Sequence, residues 1–228
     1  MKKRFHYRLQ SSLLRDFILG GQDGLVNVLG IILGMAAATQ DIRIVIIAGL
    51  AATFAESISM AAVAYTSMKA QEDFYRGEMS KEKYRLQHEP FAERRMVYDI
   101  YHRKGFRGSL LESIVKKITS NKKMWLDALM KESNIPRMQY SPAKSAFIVG
   151  MSAMIGSLIP VFPFFYFSVI QGTILSILIS AGALFITGSL EGKLTLRNWF
   201  NEGFKMMIIG MIAAFAGFFI GKWLGVNV

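Results

Sequence analysis

The chain has 228 residues, 52% of them hydrophobic, with 27 Lys and Arg against 16 Asp and Glu and no cysteine. Without cysteine there can be no disulfide, thiolate metal site, iron–sulfur cluster or cysteine nucleophile. A net charge of +11 would favour nucleic-acid binding in a soluble protein. The apolar residues, however, are gathered into runs of about 20, long enough to cross a membrane. We therefore expect a membrane protein with no nucleic-acid partner.

Five apolar runs predict transmembrane helices, because a helix rises about 1.5 Å per residue and the hydrocarbon core is about 30 Å thick. The runs are 17–39, 44–68, 146–169, 173–190 and 206–226. The basic start of the chain leads into polar residues, so no cleavable signal peptide is expected. The predicted fold class is all-α: a polytopic membrane protein with five transmembrane helices and a helical cytoplasmic insert between helices 2 and 3.

The basic residues predict the orientation, since cytoplasmic loops are enriched in Lys and Arg. Segments 1–16, 69–145 and 191–205 hold 25 of the 27, which favours a cytoplasmic N-terminus. The predicted domains are a basic N-terminus (1–16), transmembrane helices 1 and 2 (17–68), the insert (69–145) and transmembrane helices 3 to 5 (146–228). The membrane would be the plasma membrane in a prokaryote and a vacuolar-type membrane in a eukaryote.

The insert itself has a helical pattern. Residues 69–87 are helix formers that would continue the second transmembrane helix, and Pro90 interrupts them. Gly105 and Gly108 mark a turn, after which apolar residues recur at helical spacing. Asn121 is the expected N-cap of the last helix of the insert.

Two acidic residues, Asp23 and Glu56, lie well inside predicted spans with no Lys or Arg near them. From the inner helix ends, Asp23 lies about 9 Å deep, Met60 about 12 Å and Glu56 about 18 Å. Glu56 and Met60 are one turn apart and share a helix face. Carboxylate and thioether suit a transition-metal ion. A structural role remains open for Asp23, hydrogen-bonded to Asn27, and for Glu56, and so does a packing role for Met60.

Four glutamates of the insert form two i, i+4 pairs, Glu78/Glu82 and Glu89/Glu93. Like charges at this spacing destabilise a helix by about 0.2–0.5 kcal/mol unless they are compensated. A divalent cation would compensate them, and so would the neighbouring Lys and Arg of a solvated face. No enzyme is expected, because the sequence has no P-loop, G-x-S-x-G or H-E-x-x-H motif.

Glycines and prolines in the spans leave two further alternatives open. Glycines around Asp23 and the pair Gly30 and Gly34 allow helices to approach closely, as in a dimer seam or a narrow pathway. Pro160 and Pro163 predict a kink or break in the outer half of the third span, which would be either architectural or part of a pathway.

The sequence resembles the vacuolar iron transporter family in four runs: Asp23-Gly24-Leu25-Val26-Asn27, Ala48-Gly49-Leu50-Ala51, Ser59-Met60-Ala61-Ala62 and Gly156-Ser157-Leu158-Ile159-Pro160-Val161-Phe162-Pro163. The glutamate-bearing insert and Trp125-Leu126-Asp127 add to a likeness that covers nearly the whole chain from about Asp16. The resemblance implies a five-span homodimer that exports Fe²⁺, often with Mn²⁺, in exchange for protons.

The resemblance also implies roles for particular residues. Asp23 and Met60 match the family's ion path, with Asn27 and Glu56 beside them. The acidic metal-gathering stretch and the methionine-and-glutamate helix match Glu78, Glu82, Glu89, Glu93, Met130 and Glu132. The expected ions are Fe²⁺, Mn²⁺ and Zn²⁺, with no prosthetic group.

There are departures from the family pattern. Many relatives carry a second-span glutamate where this chain has Ala52, whereas Glu56 lies one turn nearer Met60. The insert departs at four more positions: Arg95, Met96, Leu129 and Ser133. We therefore expect the insert to hold fewer ions, or to hold them less tightly. Two rival functions remain: a membrane-anchored metal sensor or buffer without transport, and a transporter of a small organic cation bound by aromatic side chains near the third span.

Overall fold

The computed structural model describes residues 2–132 and 140–224, with side chains from Ser12 onward. These residues form helices and no strand. In chain order the elements are α1 (Lys2–Ala38), α2 (Ile42–His88), α3 (Pro90–Arg103), α4 (Gly108–Thr119), α5 (Lys122–Glu132), α6 (Pro142–Val161), a 3₁₀ turn (Phe162–Phe165), α7 (Val169–Leu194) and α8 (Trp199–Leu224). The predicted all-α class is confirmed.

Five of the described helical segments are long and apolar enough to cross a membrane. They are Ser12–Ala38 of α1, α2, Pro142–Phe165, α7 and α8, in the order predicted. The helices α1, α7 and α8 begin earlier than the apolar runs that predicted them, because hydropathy marks only the hydrocarbon-crossing part of a helix. The expected end of the fifth run, at residue 226, lies outside the described residues.

The chain divides into two compact units. The membrane unit comprises Met1–Thr66 and Tyr140–Val228, and the insert unit comprises Ser67–Gln139. The first half of α2 belongs to the membrane unit and its second half to the insert unit. The expectation that residues 69–87 continue the second span in one helix is therefore confirmed.

In the membrane unit, α1 packs closely against α6 and α8 through glycines. A Cβ added to Gly156 of α6 would collide with the backbone of Gly21, and one added to Gly217 of α8 would collide with the backbone of Gly30. At these crossings the helix backbones touch without intervening side chains, as small residues permit in membranes. Side-chain volume at the glycines therefore sets how near α1 can lie to its neighbours.

The third span ends in the irregular segment that its prolines predict. The helix α6 runs through Pro160 to Val161, and the 3₁₀ turn containing Pro163 follows. The hydroxyl of Ser176 on α7 donates a 2.8 Å hydrogen bond to the Pro160 carbonyl oxygen. That bond satisfies a backbone acceptor at the helix end and ties the two helices together.

The insert unit is a small helical domain with its own apolar core. The core is formed by Val97, Ile100, Leu111, Val115, Ile118 and Leu129. Gly105 and Gly108 have φ of +96° and +59°, which explains why glycine occupies the predicted turn. Asn121 Oδ1 accepts hydrogen bonds of 2.9 and 3.2 Å from the backbone amides of Lys123 and Met124, which confirms the predicted N-cap.

Candidate metal-ion sites

The membrane unit contains a cluster of polar side chains from α1 and α2. Asn27 Nδ2 donates a 3.0 Å hydrogen bond to Glu56 Oε1, and the carboxyl group of Asp23 lies within hydrogen-bonding reach of Glu56. Asp23 and Asn27 are one turn apart, so both side chains leave α1 on the same face. At about 1.5 Å per residue Asn27 lies about 15 Å deep and Glu56 about 18 Å, which agrees with their contact.

The cluster is acidic and lacks a basic partner. Among the described residues, neither Asp23 nor Glu56 forms an ion pair. Two carboxyl groups in hydrogen-bonding contact cannot both stay charged unless something compensates, so a shared proton or a bound cation suits the pair. The same two groups can thus hold either a proton or a metal ion, and the two occupants compete.

Met60 and Ala52 lie on either side of Glu56 along α2. Met60 is partly buried one turn away, within the reach expected of a thioether on the same face. Ala52 packs against an apolar cluster that includes Ile32 and Phe164. A carboxylate at position 52 would meet apolar side chains, whereas Glu56 meets Asp23 and Asn27. Glu56, and not a residue at position 52, is therefore placed to join the polar cluster.

The insert unit brings together two of the predicted glutamates, Glu82 of α2 and Glu93 of α3. Glu93 is only 3% exposed, and its Oε2 atom is buried without a hydrogen-bond partner. Glu82 bonds Arg85 at 3.3 Å through Oε1, while its Oε2 atom is also buried and unpartnered. Each side chain thus keeps one buried oxygen free for a cation.

The other predicted ligands of the insert lie in different surroundings. Glu78 pairs with Lys81 at 2.6 Å, and Glu132 pairs with Arg103 at 3.1 Å and with Lys104. Glu89 is exposed, whereas Met130 is buried. Within residues 2–132 and 140–224 no group of three or more His, Cys, Asp or Glu could hold a metal ion. Ser133 lies outside these residues.

The surroundings of Glu93 raise the pKa of its carboxyl group above the ordinary value of 4.5. Burial is the largest cause, and the charges of Glu82 and Glu89 add to it against the opposing charge of Arg85. The folded protein thus holds a proton that the unfolded chain releases near pH 4.5, so the ion-free insert loses stability as pH rises from 4.5 through the raised pKa.

Replacing Glu93 with Gln is therefore expected to raise the unfolding temperature of ion-free protein by a few degrees at pH 8 and to leave it unchanged at pH 4. Mn²⁺ should raise the unfolding temperature of the wild type more than that of Glu93→Gln. Thermal unfolding of detergent-solubilised protein measures both effects. The exposed Glu112→Gln is the matched control, and an equal gain in that variant would contradict the assignment to burial.

One charged residue that sequence analysis did not select is buried in the membrane unit. Asp16 of α1 is 7% exposed and accepts hydrogen bonds from Tyr140 and Ser145. The sequence alone places it at the edge of the basic N-terminus, where an acidic residue is unremarkable. The available signal is its position two turns before Asp23, on nearly the same face of α1.

Comparison with known proteins agrees with this architecture. The profile of the VIT family matches residues 14–222. The chain is 30% identical over 213 residues to vacuolar iron transporter 1 of Arabidopsis thaliana, covering 92% of this chain and 85% of that protein. It is 27% identical to protein CCC1 of Saccharomyces cerevisiae (97% and 72% covered) and to the vacuolar iron transporter of Plasmodium falciparum (98% and 86% covered).

The five apolar helices and the length of the match define the class first: an integral, multi-pass α-helical membrane protein. Because the family profile covers most of the residues, the chain belongs to the VIT family. The resemblance inferred from the sequence motifs is confirmed.

Proposed function

We propose that this protein exports Fe²⁺ from the cytosol in exchange for protons, with Mn²⁺ as a second cargo. Its membership of the VIT family and the names of its relatives support metal-ion transport. The observation that carries the finer proposal is the contact of Asp23 and Asn27 with Glu56 inside two spanning helices.

The carboxyl pair supplies the exchange chemistry. Metal binds the deprotonated forms of Asp23 and Glu56, with the Met60 sulfur as a softer ligand. A proton arriving from the far side neutralises the pair, weakens the ligation and releases the ion. The return of the empty, protonated site completes the exchange. An inward proton gradient then drives metal out of the cytosol.

A homodimer with cytoplasmic N-termini is part of the proposal. Asn27 is exposed in a single chain and lines an open groove of about 510 Å³ between α1 and α8. A polar side chain that faces lipid inside a span is costly, so such residues usually face a partner or a water-filled cavity. A second copy covering this face would shield the polar cluster from lipid.

The insert would gather metal at the cytoplasmic side through Glu82 and Glu93, whose free buried oxygens support that role. The same two residues support the second candidate, a membrane-anchored sensor or buffer that binds metal without moving it. A sensor has no use for a carboxyl pair inside its spans, and this favours transport.

Purified protein in proteoliposomes separates the two candidates. A Fe²⁺-quenched dye inside the vesicles reports metal entry, and a pH dye in parallel vesicles reports proton movement. Transport predicts metal flux with opposing proton flux. Metal binding to folded, inserted protein with no flux under either gradient polarity would instead support the sensor.

The gathering role has its own test in the same vesicles. Replacing Glu82 and Glu93 together with Gln is expected to raise the half-saturating Fe²⁺ concentration about tenfold, with a smaller change in maximal rate. The exposed pair Glu112 and Glu191, changed to Gln, serves as the control. An unchanged half-saturation would count against the insert as a metal-gathering unit.

A further inference from the structure

Asp16 is a buried charged group that the proposed ion path does not use. Its Oδ2 atom accepts two short hydrogen bonds, 2.6 Å from the Tyr140 hydroxyl and 2.7 Å from the Ser145 hydroxyl. Its Oδ1 atom lies 3.5 Å from the guanidinium of Arg15, which is largely exposed. A buried carboxylate with two donors on another segment fixes that segment firmly, because charge-assisted hydrogen bonds are the strong ones.

Tyr140 remains a hydrogen-bond donor over the whole physiological pH range. Burial, followed by the hydrogen bond to Asp16 and the charge of Asp16, raises the pKa of Tyr140 to about 12. The hydroxyl of Ser12, one turn before Asp16, also hydrogen-bonds Tyr140. The start of α6 is thus held against α1 by hydroxyl groups that keep their protons at physiological pH.

The neighbouring contact between α1 and α6 is made by glycines and small side chains. A Cβ on Gly20 would collide with the Ser152 hydroxyl and the Val149 carbonyl oxygen, and one on Gly24 with the Ala153 carbonyl oxygen and the Ser157 hydroxyl. Small residues of this kind bring helices close but interlock less than large side chains do. The polar contacts at the start of α6 therefore contribute to the position of α1 along α6.

That register bears directly on the ion path. Asp23 follows Asp16 by two helical turns, about 10 Å along α1. A helix moves as a rigid rod over that length, so a shift of α1 at Asp16 is passed to Asp23 with little loss. Glu56 belongs to a different helix, and the contact between the two carboxyl groups would change with the shift.

We propose that Asp16 is a positioning residue for ion transport: by binding the Tyr140 and Ser145 hydroxyls, it sets the register of α1 against α6 and so holds Asp23 beside Glu56. The effect on ion transport rests on the proposed function. The effect of Asp16 on the register of α1 against α6 does not depend on transport.

The test uses the double variant Tyr140→Phe/Ser145→Ala, which removes both donors and keeps every charge. The chain has no cysteine, so spin labels can be placed on Leu19→Cys of α1 and Ile155→Cys of α6, two half-exposed positions. We expect the distance between the labels to shift or its distribution to broaden. In proteoliposomes the half-saturating Fe²⁺ concentration should rise at least fivefold. The unfolding temperature should change little.

Two further variants serve as a control and as a rescue. Ser152→Ala is the matched control for the loss of a buried serine hydroxyl at the same helix contact: this hydroxyl donates to the Val149 carbonyl oxygen of its own helix and lies against Gly20 of α1 without bonding Asp16. Ser145→Thr restores a hydroxyl and should return both readouts towards wild type when Tyr140 is intact. If the double variant does not fold, the single variants Tyr140→Phe and Ser145→Ala carry the same comparison.

An unchanged label distance, or a half-saturation within twofold of wild type, would overturn the proposal. A distance change without an effect on half-saturation would overturn it too, because the register would then not govern the site. If the wild type shows no flux, the proposed function fails by itself. The affinity of the same variants for Mn²⁺, measured by electron paramagnetic resonance, then decides the positioning role.

Discussion

Replacing Glu56 with Gln is expected to lower Fe²⁺ transport about 100-fold, equivalent to ~2.7 kcal/mol in the barrier. Glutamine keeps the size of the side chain and can still accept the hydrogen bond from Asn27. It cannot carry the negative charge that a metal ion needs or exchange a proton for it. The protein should still fold, because an amide inside a span is cheaper than an ionised carboxylate.

The same loss is expected for Asp23→Asn, since both members of the carboxyl pair take part in binding the ion. Initial rates of dye quenching in proteoliposomes measure the effect, and the parallel pH dye should show that proton movement is lost with metal movement. Asp41→Asn is the control for Asp23, because Asp41 is exposed and bonds the Arg43 amide through an oxygen that asparagine retains. Glu191→Gln, at an exposed position, is the control for Glu56. Wild-type uptake by Glu56→Gln and Asp23→Asn would show that the cluster is not on the ion path.

The largest effect on folding is expected for Gly156→Val in α6. A Cβ at this position would overlap the carbonyl group and Cα of Gly21, and a backbone cannot move aside as a side chain can. Separating α1 from α6 would disrupt the principal glycine contact of the membrane unit. We expect a destabilisation of at least ~3 kcal/mol, at the upper end for overpacked sites.

Gly182→Val in α7 is the matched control, because nothing lies within 4 Å of a Cβ at that glycine. The two variants add the same side chain in the middle of a spanning helix, one into a contact and the other into open space. Monodispersity on size-exclusion chromatography and the unfolding temperature in detergent measure the difference. Equal behaviour of the two variants would mean that α1 and α6 tolerate separation.

The sequence predicted the spans well because membrane helices are under one strong constraint. Every backbone polar group must be satisfied within the bilayer, so an apolar run of sufficient length has few alternatives to a helix. The ends were less well predicted. Helix α1 begins at Lys2 rather than near residue 17, because its polar first turns carry no hydropathy signal.

The candidate sites were predictable only in part. Asp23 and Glu56 stood out because carboxylates are rare inside spans. Their contact with each other and with Asn27 joins two helices, and no spacing rule predicts which helices meet. In the insert, i, i+4 spacing grouped Glu78 with Glu82, whereas the structure pairs Glu78 with Lys81. Spacing along one helix fixes which face a residue occupies. It does not fix which counter-charge reaches that residue first.

Asp16 shows the limit most clearly. Its partners lie 124 and 129 residues away along the chain, so no local pattern links them. Burial of a carboxylate depends on the helix that covers it, and a single sequence gives no sign of that helix. Residues whose role is to join distant segments are for this reason the hardest to find from sequence.

The free buried oxygens of Glu82 and Glu93 have a consequence for the life of the protein in the cell. An ion bound between the two carboxylates would remove an unfavourable burial and make local opening of the insert rarer, since a ligand stabilises the state it binds. Proteases cut mainly opened chains. Molecules that carry metal would then be degraded more slowly, and the amount of this protein would follow the supply of the ion that its insert binds.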